Sequence, residues 1–177
     1  MSEPELTAVK ETIRSIPDFP QPGILFRDIT PVLQDPARFE EAVAALEGWA
    51  RERDPQAIVG IESRGFIFGA PVALRLGASF VPVRKPGKLP ADTHKVEYSL
   101  EYGTDAVEMH QDAMAAGDRA VIIDDLLATG GTARATAQLV EATGGEVVGM
   151  AFLVELLDLN GRDQLEGYDV VSFVKYE

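Results

Sequence analysis

The residues best suited to chemistry lie in the stretch Ala120–Thr132, which reads AVIIDDLLATGGT. Its apolar start, Ala120–Ile123, predicts a buried strand, and two carboxylates, Asp124 and Asp125, follow that strand directly. In a parallel sheet, the loops at the carboxyl ends of the strands form the ligand crevice. We therefore expect both carboxylates to face a ligand.

The loop Ala128–Thr132 is suited to hold a phosphate. Gly130 and Gly131 let backbone N–H groups approach an anion closely. The hydroxyls of Thr129 and Thr132 can add hydrogen bonds, and the helix predicted to begin at Thr132 supplies a favourable dipole. The loop contains no lysine, so it is not the ATP-type loop, which needs Gly-Lys-Ser/Thr.

Asp124 and Asp125 point to a sugar beside that phosphate. Ionised carboxylates only accept hydrogen bonds, so their natural partners are the two hydroxyls of a ribose or a Mg²⁺ ion. Phosphate and sugar diol together indicate ribose 5-phosphate. The alternative is a helix-capping loop with surface carboxylates, and the composition of the whole stretch argues against it.

A second strand end carries further candidates. The segment Glu62-Ser63-Arg64-Gly65 follows a predicted strand, so it should face the same crevice. The fork-shaped donors of Arg64 suit a pyrophosphate, and Gly65 permits a tight backbone bend. An ordinary strand–helix turn with an exposed arginine is the alternative.

A basic cluster, formed by Arg84, Lys85 and Lys88, follows a third strand end. The chain has a net charge of −13, so a polyanionic ligand requires basic residues to be concentrated locally. Such a cluster is usually a solvated face, but beside two candidate anion loops we expect it to neutralise pyrophosphate.

Apolar runs alternate with helical periods through most of the chain. This order predicts βαβ units and therefore an α/β fold, a central parallel sheet flanked by helices on both faces. Strands are predicted at Ala57–Ile61, Ser79–Val83, Ala120–Ile123, Val147–Leu156 and Tyr168–Val174, and helices at Phe66–Leu76 and Thr132–Thr143.

Two other regions are less regular. Apolar residues at helical spacing predict a short helix over residues 3–16, and the proline-rich residues 17–36 predict an ordered loop region. Within it, Asp35 and Pro36 predict the N-cap and first turn of another helix. Residues 86–110 are polar and predict a hairpin or a mobile flap.

The stretch from the apolar strand to Thr-Gly-Gly-Thr resembles the phosphoribosyl-pyrophosphate-binding signature of the type I phosphoribosyltransferases. Other stretches resemble the adenine phosphoribosyltransferases in particular: FPQPGILFRDIT at Phe19–Thr30, GIESRGF at Gly60–Phe66, YSLEYG at Tyr98–Gly103 and the ending VKYE. The resemblance runs from about residue 6 to the end of the chain. It implies one type I phosphoribosyltransferase domain over residues 1–177, with an N-terminal hood at about 17–34 and a flexible flap at about 86–105.

The resemblance also implies roles in the hood and at the anion loops. Phe26 would stack on the purine, with Leu25 and Arg27 completing the adenine site. Ser63 and Arg64 would hold pyrophosphate, in a loop that often has an unusual backbone geometry in this family. The alternative for Phe26 is a plain core residue.

In the flap, the resemblance implies that Glu101 accepts the proton that the purine sheds, which makes Glu101 and Arg64 the candidate catalytic residues. Tyr102 would act beside it at the base or the ribose. A solvated strand carboxylate is the competing interpretation of Glu101. Closure of the flap would exclude water, which could otherwise attack the electron-poor ribosyl carbon.

The implied reaction joins adenine to phosphoribosyl pyrophosphate and gives AMP and pyrophosphate, with Mg²⁺ as cofactor. The metal would be held largely by substrate oxygens and water, with Asp124 or Asp125 as candidate protein ligands. The family alone implies a homodimer. Two alternatives stay open: a phosphoribosyltransferase for another purine base, and a nucleotide-sensing regulator on the same fold.

Composition excludes several other classes. The acidity argues against a protein that coats nucleic acid. No run approaches the roughly 18 apolar residues of a membrane helix, the acidic start gives no sign of a secretory signal, and there is no cysteine. We expect a cytoplasmic protein without nucleic-acid or membrane partners.

Overall fold

The computed structural model describes residues 5–99 and 103–177. Its helices and strands are, in chain order, α1 (Thr7–Thr12), β1 (Arg14–Pro17), β2 (Leu25–Asp28), α2 (Thr30–Gln34), α3 (Pro36–Arg51), β3 (Ala57–Ile61), α4 (Arg64–Leu76), β4 (Ser79–Val83), β5 (Thr93–Ser99), β6 (Thr104–His110), β7 (Arg119–Leu127), α5 (Gly131–Ala142), β8 (Glu146–Leu156) and β9 (Val170–Tyr176). Two short 3-10 turns, Leu157–Leu159 and Gly161–Leu165, lie between β8 and β9.

Five strands form a central parallel sheet in the order β4-β3-β7-β8-β9. The chain leaves β3 towards β4 on one side and later returns to β7 on the other side. Such a reversal opens a crevice at the carboxyl ends of the two strands concerned. Gly60 of β3 lies opposite Ile123 of β7, so the segments after these residues meet at that crevice.

Helices cover both faces of this sheet, as the α/β prediction requires. Because successive side chains of a strand point to opposite faces, Ile58 and Ile123 pack on the side of α3 and α4. Val59 and Ile122 pack on the other side, with α5. The two apolar layers hold β3 and β7 rigidly and so fix the loops that follow them.

The predicted start of α3 is confirmed in detail. The carboxylate of Asp35 accepts hydrogen bonds from the amides of Ala37 at 2.9 Å and Arg38 at 3.2 Å, and Pro36 occupies the first turn.

The N-terminal region differs from the prediction, since the helix over residues 3–16 ends at Thr12. Residues 14–17 instead form β1, which pairs antiparallel with β2, and Arg14 donates to Asp28 at 2.6 Å. This pairing satisfies backbone groups that a longer helix would have bonded internally. The loop region 17–36 accordingly contains a strand and a short helix.

The segment 86–110 contains an antiparallel hairpin of β5 and β6, which packs against α5 as a separate two-stranded sheet. Arg84, directly after β4, joins the hairpin through reciprocal backbone hydrogen bonds with Glu108 at 2.9 Å and 2.7 Å. Within the described ranges, none of the helices combines the length and the apolarity needed to span a bilayer.

Candidate active site

A cavity of about 320 Å³ lies at the carboxyl ends of β3 and β7. It brings together residues from all three strand ends that the sequence singles out. Its lining consists of Ile61, Glu62, Ser63, Arg64, Lys85, Asp124, Asp125, Leu126 and Thr132.

Arg64 and Asp125 connect the two central strand ends. The Nε of Arg64 donates to Oδ2 of Asp125 at 2.6 Å. The Asp125 side chain is 8% exposed, whereas that of Arg64 is 43% exposed and so accessible to a ligand in the cavity. A β-carbon at Gly65 would lie 2.8 Å from Oδ1 of Asp124, so this close turn requires glycine. The peptide bond between Glu62 and Ser63 is cis.

Asp124 retains its proton more readily than an ordinary carboxyl group. Burial raises its pKa well above the usual value, and the neighbouring charge of Asp125 raises the pKa further. Its Oδ1 accepts a hydrogen bond from the Asp125 amide at 2.9 Å. A ligand that donates hydrogen bonds to Asp124 would therefore favour the ionised form.

The phosphate loop, residues 128–132, begins α5 as predicted. Gly130 has a left-handed backbone, with φ of 84°, and its carbonyl accepts the first helical hydrogen bond from Arg134 at 2.9 Å. A second cavity of about 80 Å³ opens onto this loop. It is lined by Asp124, Leu126, Leu127, Ala128, Thr129, Gly130, Thr132, Ala133 and Phe152.

The basic cluster surrounds a carboxylate, Glu62, which belongs to the predicted crevice segment but was given no role of its own. Glu62 accepts from Arg84 Nε at 3.0 Å, from the Lys85 amide at 3.0 Å and from Lys88 Nζ at 2.8 Å. Burial alone would raise the pKa of Glu62, but these hydrogen bonds outweigh burial and lower it. The position of Glu62 directly before Ser63 is the signal that could have identified it.

Lys85 also belongs to a network that joins the hairpin to the phosphate loop. Its Nζ donates to Asp105 and to the Tyr98 hydroxyl, the latter at 3.1 Å. The Tyr98 hydroxyl accepts from Thr132 Oγ1 at 3.1 Å and donates to Asp105 at 3.2 Å. Tyr98 and Asp105 were not predicted as site residues; the family-like stretch that begins at Tyr98 is the signal that could have identified Tyr98.

The hood places Phe26, one of its predicted residues, near Arg64, which lines the larger cavity. The Phe26 ring centre lies 5.7 Å from Cζ of Arg64, and Phe19 packs edge-on against Phe26 at 5.1 Å. Leu25 is 47% exposed. The Arg27 side chain points elsewhere, with Cζ 3.8 Å from the Tyr176 ring centre and Nη1 2.5 Å from the Ser15 hydroxyl.

Two predicted residues, Glu101 and Tyr102, lie outside the described residues. Among the residues that are described, no three His, Asp or Glu side chains cluster as a metal cage. The cavity nevertheless presents carboxylate oxygens from Asp124 and Asp125, the hard donors that Mg²⁺ prefers. This donor set fits a magnesium ion that takes most of its ligands from a phosphorylated substrate and water.

Proteins of known family match this chain closely. The family model of the phosphoribosyl transferase domain matches residues 32–176. The adenine phosphoribosyltransferase of Synechococcus sp. is 59% identical over 169 residues, which cover 96% of this chain and 99% of that protein.

Solved structures agree with these sequence matches. Adenine phosphoribosyltransferase from Thermoanaerobacter pseudethanolicus superposes with a TM-score of 0.94 at 55% identity, covering 97% of this chain and 99% of that one. The adenine phosphoribosyltransferase from Saccharomyces cerevisiae was solved with D-2,5-dideoxy-2,5-imino-altritol 1,6-bisphosphate and adenine. It superposes with a TM-score of 0.90 at 40% identity, covering 94% of this chain and 97% of that one. The resemblance in the phosphate loop and the hood is thus confirmed over almost the whole length: the chain belongs to the phosphoribosyltransferases and, among them, to the adenine phosphoribosyltransferase family.

Proposed function

We propose that this chain transfers the 5-phosphoribosyl group of phosphoribosyl pyrophosphate to adenine, giving AMP and pyrophosphate. The observation that carries the proposal is the pair of cavities at the ends of β3 and β7, which share Asp124, Leu126 and Thr132. Together they bring a phosphate loop, two carboxylates and a basic group to one place. The bond from the ribosyl C1′ to pyrophosphate breaks, a bond from C1′ to the purine nitrogen forms, and that nitrogen sheds its proton.

The phosphoribosyl group occupies the end of the cavity next to β7. Backbone N–H groups of residues 128–132 and the hydroxyls of Thr129 and Thr132 bind the 5′-phosphate at the start of α5. Asp124 and Asp125 accept hydrogen bonds from the two ribose hydroxyls. Holding the sugar at both its phosphate and its diol fixes the orientation of C1′ towards the base.

Pyrophosphate occupies the opposite end. Ser63 and Arg64 contact it from the turn after β3, and Arg84, Lys85 and Lys88 neutralise it from the segment after β4. Negative charge grows on pyrophosphate as its bond to C1′ breaks, so these cations stabilise the transition state more than the ground state. Their present carboxylate partners, Glu62 among them, keep them beside the cavity.

Adenine binds under the hood, between Phe26 and the sugar. The proximity of Phe26 to Arg64 supports this placement, since the base must lie next to both ribose and pyrophosphate. Leu25 and Arg27 contribute backbone groups that read the edge of the purine. Arg27 acts through its backbone because its side chain packs against the Tyr176 ring.

Glu101 accepts the proton from the purine nitrogen, and Tyr102 contacts the base or the ribose beside it. Both residues belong to a flap, about residues 86–105, that closes over the bound substrates and excludes water. The hydrogen bond between Tyr98 and Thr132 supports contact between this segment and the phosphate loop.

Mg²⁺ is the cofactor of the proposed reaction. Asp124 or Asp125 would hold it together with substrate oxygens and water. When bound, it neutralises charge on the pyrophosphate. We further propose that residues 1–177 form one domain and that the protein works as a cytoplasmic homodimer.

The proposed function is tested by incubating the purified protein with phosphoribosyl pyrophosphate, Mg²⁺ and, separately, adenine, hypoxanthine, guanine and xanthine. We expect AMP and pyrophosphate in equal amounts with adenine and little nucleotide with the other bases. A nucleotide formed only from another base would change the substrate. The absence of nucleotide in every case, together with tight AMP binding, would indicate a regulator instead.

A further inference from the structure

An ion pair with a buried carboxylate lies behind the phosphate loop, outside the cavity. Glu155, near the end of β8, is 3% exposed and accepts two hydrogen bonds from Arg162, at 2.8 Å to Nε and 2.9 Å to Nη2. The Arg162 guanidinium also donates to the Ser172 hydroxyl at 3.1 Å and to the Val170 carbonyl at 3.2 Å. Hydrogen bonds thus hold the Arg162 side chain against both β8 and β9.

The residue before Arg162 contacts the phosphate loop backbone to backbone. A β-carbon on Gly161 would lie 2.2 Å from the carbonyl oxygen of Ala128. Reciprocally, a β-carbon on Gly130 would lie 2.3 Å from the carbonyl oxygen of Gly161. Neither position has room for a side chain, so the two backbones determine each other's place.

The ion pair has no contact of its own with the cavity. Among the described residues, the cavity linings at the phosphate loop and at the basic cluster include neither Glu155 nor Arg162. Such an ion pair is also a weak source of stability, because desolvating the Glu155 carboxylate, which is 3% exposed, offsets much of its attraction to Arg162. The contacts of the ion pair are instead consistent with a role in fixing the position of Gly161, the neighbouring residue, against the phosphate loop.

We propose that Glu155 and Arg162 are positioning residues for phosphoribosyl binding: they fix Gly161 against Ala128 and Gly130, and so set the backbone N–H groups that hold the 5′-phosphate. The inference rests on the proposed function, which assigns the 5′-phosphate to this loop. It adds two residues that touch no substrate and act only through the backbone of the loop.

The test compares Arg162→Met with the charge-free pair Glu155→Met/Arg162→Met. The second variant removes both charges while keeping much of their volume, so it folds even where an unpaired buried Glu155 prevents folding. In both, we expect KM for phosphoribosyl pyrophosphate to rise about tenfold or more, the effect of weakening one hydrogen bond to a charged group. KM for adenine should stay within about twofold and kcat should change little, as expected when uniform binding is lost.

Arg162→Lys retains the charge but not the paired hydrogen bonds, so its KM should fall between those of the wild type and Arg162→Met. Arg53→Met is the matched control. Arg53 forms an ion pair with Asp169, 2.5 Å apart and directly before β9, and its loss should leave both KM values unchanged.

Calorimetric binding of ribose 5-phosphate separates this inference from the proposed function. If the wild type makes no AMP but binds ribose 5-phosphate, the function is wrong and weaker binding by the charge-free variant still supports the positioning role. A folded charge-free variant with wild-type affinity and KM would overturn the inference. So would equal losses for adenine and phosphoribosyl pyrophosphate, or the same losses in Arg53→Met.

Discussion

The two proposed anion sites differ in the groups that would hold the ligand. At the end next to β7, the phosphate loop relies on backbone groups, which are held by the close contact between Gly130 and Gly161. At the other end, side-chain cations carry the charge, and each is already paired: Arg84 and Lys88 with Glu62, and Lys85 with Asp105.

This difference matches the fate of the two anions in the proposed reaction. The 5′-phosphate is present in substrate and product alike, so a rigid loop that holds it with backbone groups serves both. Pyrophosphate has to leave after each turnover. Carboxylates that take back their cations weaken the hold on pyrophosphate and so favour its release.

The largest loss of activity is expected from Gly130→Ala, in the phosphate loop at the rigid end of the cavity. The new β-carbon would meet the Gly161 carbonyl, and the residue would be confined to a left-handed conformation. The loop must therefore move, and a displacement of about 1 Å in a positioned group can cost about 100-fold in rate. We expect kcat/KM for phosphoribosyl pyrophosphate to fall by at least that factor, measured by initial rates.

Gly117→Ala is the control for Gly130→Ala. Gly117 has nearly the same φ, 85° against 84°, but nothing lies within 4 Å of its β-carbon position. Both variants should lose about 1–2 kcal/mol of stability from the left-handed strain. Equal kinetic losses in the two variants would show that strain alone, and not displacement of the loop, impairs binding.

The next effect concerns Arg64, the cation at the junction of the two ends. Arg64→Ala removes a donor aimed at the leaving group, so kcat should fall by about 100-fold, the usual loss for one such donor. Pyrophosphate inhibition should weaken as well, whereas adenine binding should change little. Steady-state kinetics with both substrates varied measure all three.

Arg51→Ala removes an exposed arginine that pairs with Glu47 at the end of α3, and it should behave as the wild type. The role assigned to Arg64 is wrong if its alanine variant selectively loses adenine binding and keeps its affinity for pyrophosphate.

A smaller effect, a gain in affinity for pyrophosphate, is expected at the basic cluster. Asp105→Asn removes the charge that competes with pyrophosphate for Lys85, so pyrophosphate should inhibit about two- to fivefold more strongly, in line with the strength of a partly exposed ion pair. Added salt should reduce the difference. Inhibition constants at low and high ionic strength provide the measurement.

Glu97→Gln removes a carboxylate from the same hairpin that pairs with Lys95 at 3.0 Å, and it should not change pyrophosphate inhibition. Weaker inhibition in Asp105→Asn would mean that Asp105 holds Lys85 in place for the ligand and does not compete with it.

Much of the central fold is predictable from local sequence. Both ends of β3 and β4 agree with the predicted strands, because short apolar runs there stop at charged or small residues. Other boundaries shift by a few residues; β7 extends from Arg119 to Leu127. The N-terminal helix is predicted too long, since β1 is formed by pairing with β2, which no local pattern reveals.

In the site too, local sequence patterns predict some residues, whereas contacts made by long-range packing could not be predicted. Asp124 and Asp125 lie in the second half of β7, and Arg64 follows β3, the neighbouring strand. The topology of the sheet therefore brings them together. The partners of the basic cluster depend on where the hairpin packs, so the role of Asp105 could not be read from the sequence. The contact between Gly130 and Gly161 likewise depends on the course of the chain after β8.

The smallest expected effect concerns Asp124, which lines both cavities. Because its pKa is raised in the folded protein, the folded state binds this proton more tightly than the unfolded chain does. The free energy of unfolding therefore falls as the pH rises from about 4 through the folded pKa. Asparagine cannot ionise, so Asp124→Asn should raise Tm at pH 7 by about 2–4 °C, the effect of about 1 kcal/mol in a protein of this size.

Asp28→Asn provides a control of opposite sign. Hydrogen bonds from Thr30 and Arg14 lower the pKa of Asp28 to about 2, so its ionised form stabilises the fold above the unfolded pKa and that stability is lost as the pH falls towards 2. Its asparagine variant should therefore lower Tm at pH 7. Thermal unfolding between pH 4 and 8 distinguishes the two variants. A lower Tm for Asp124→Asn at pH 7 would mean that the carboxylate is stabilised by the fold, and that the rigid end of the cavity tolerates a negative charge without a ligand.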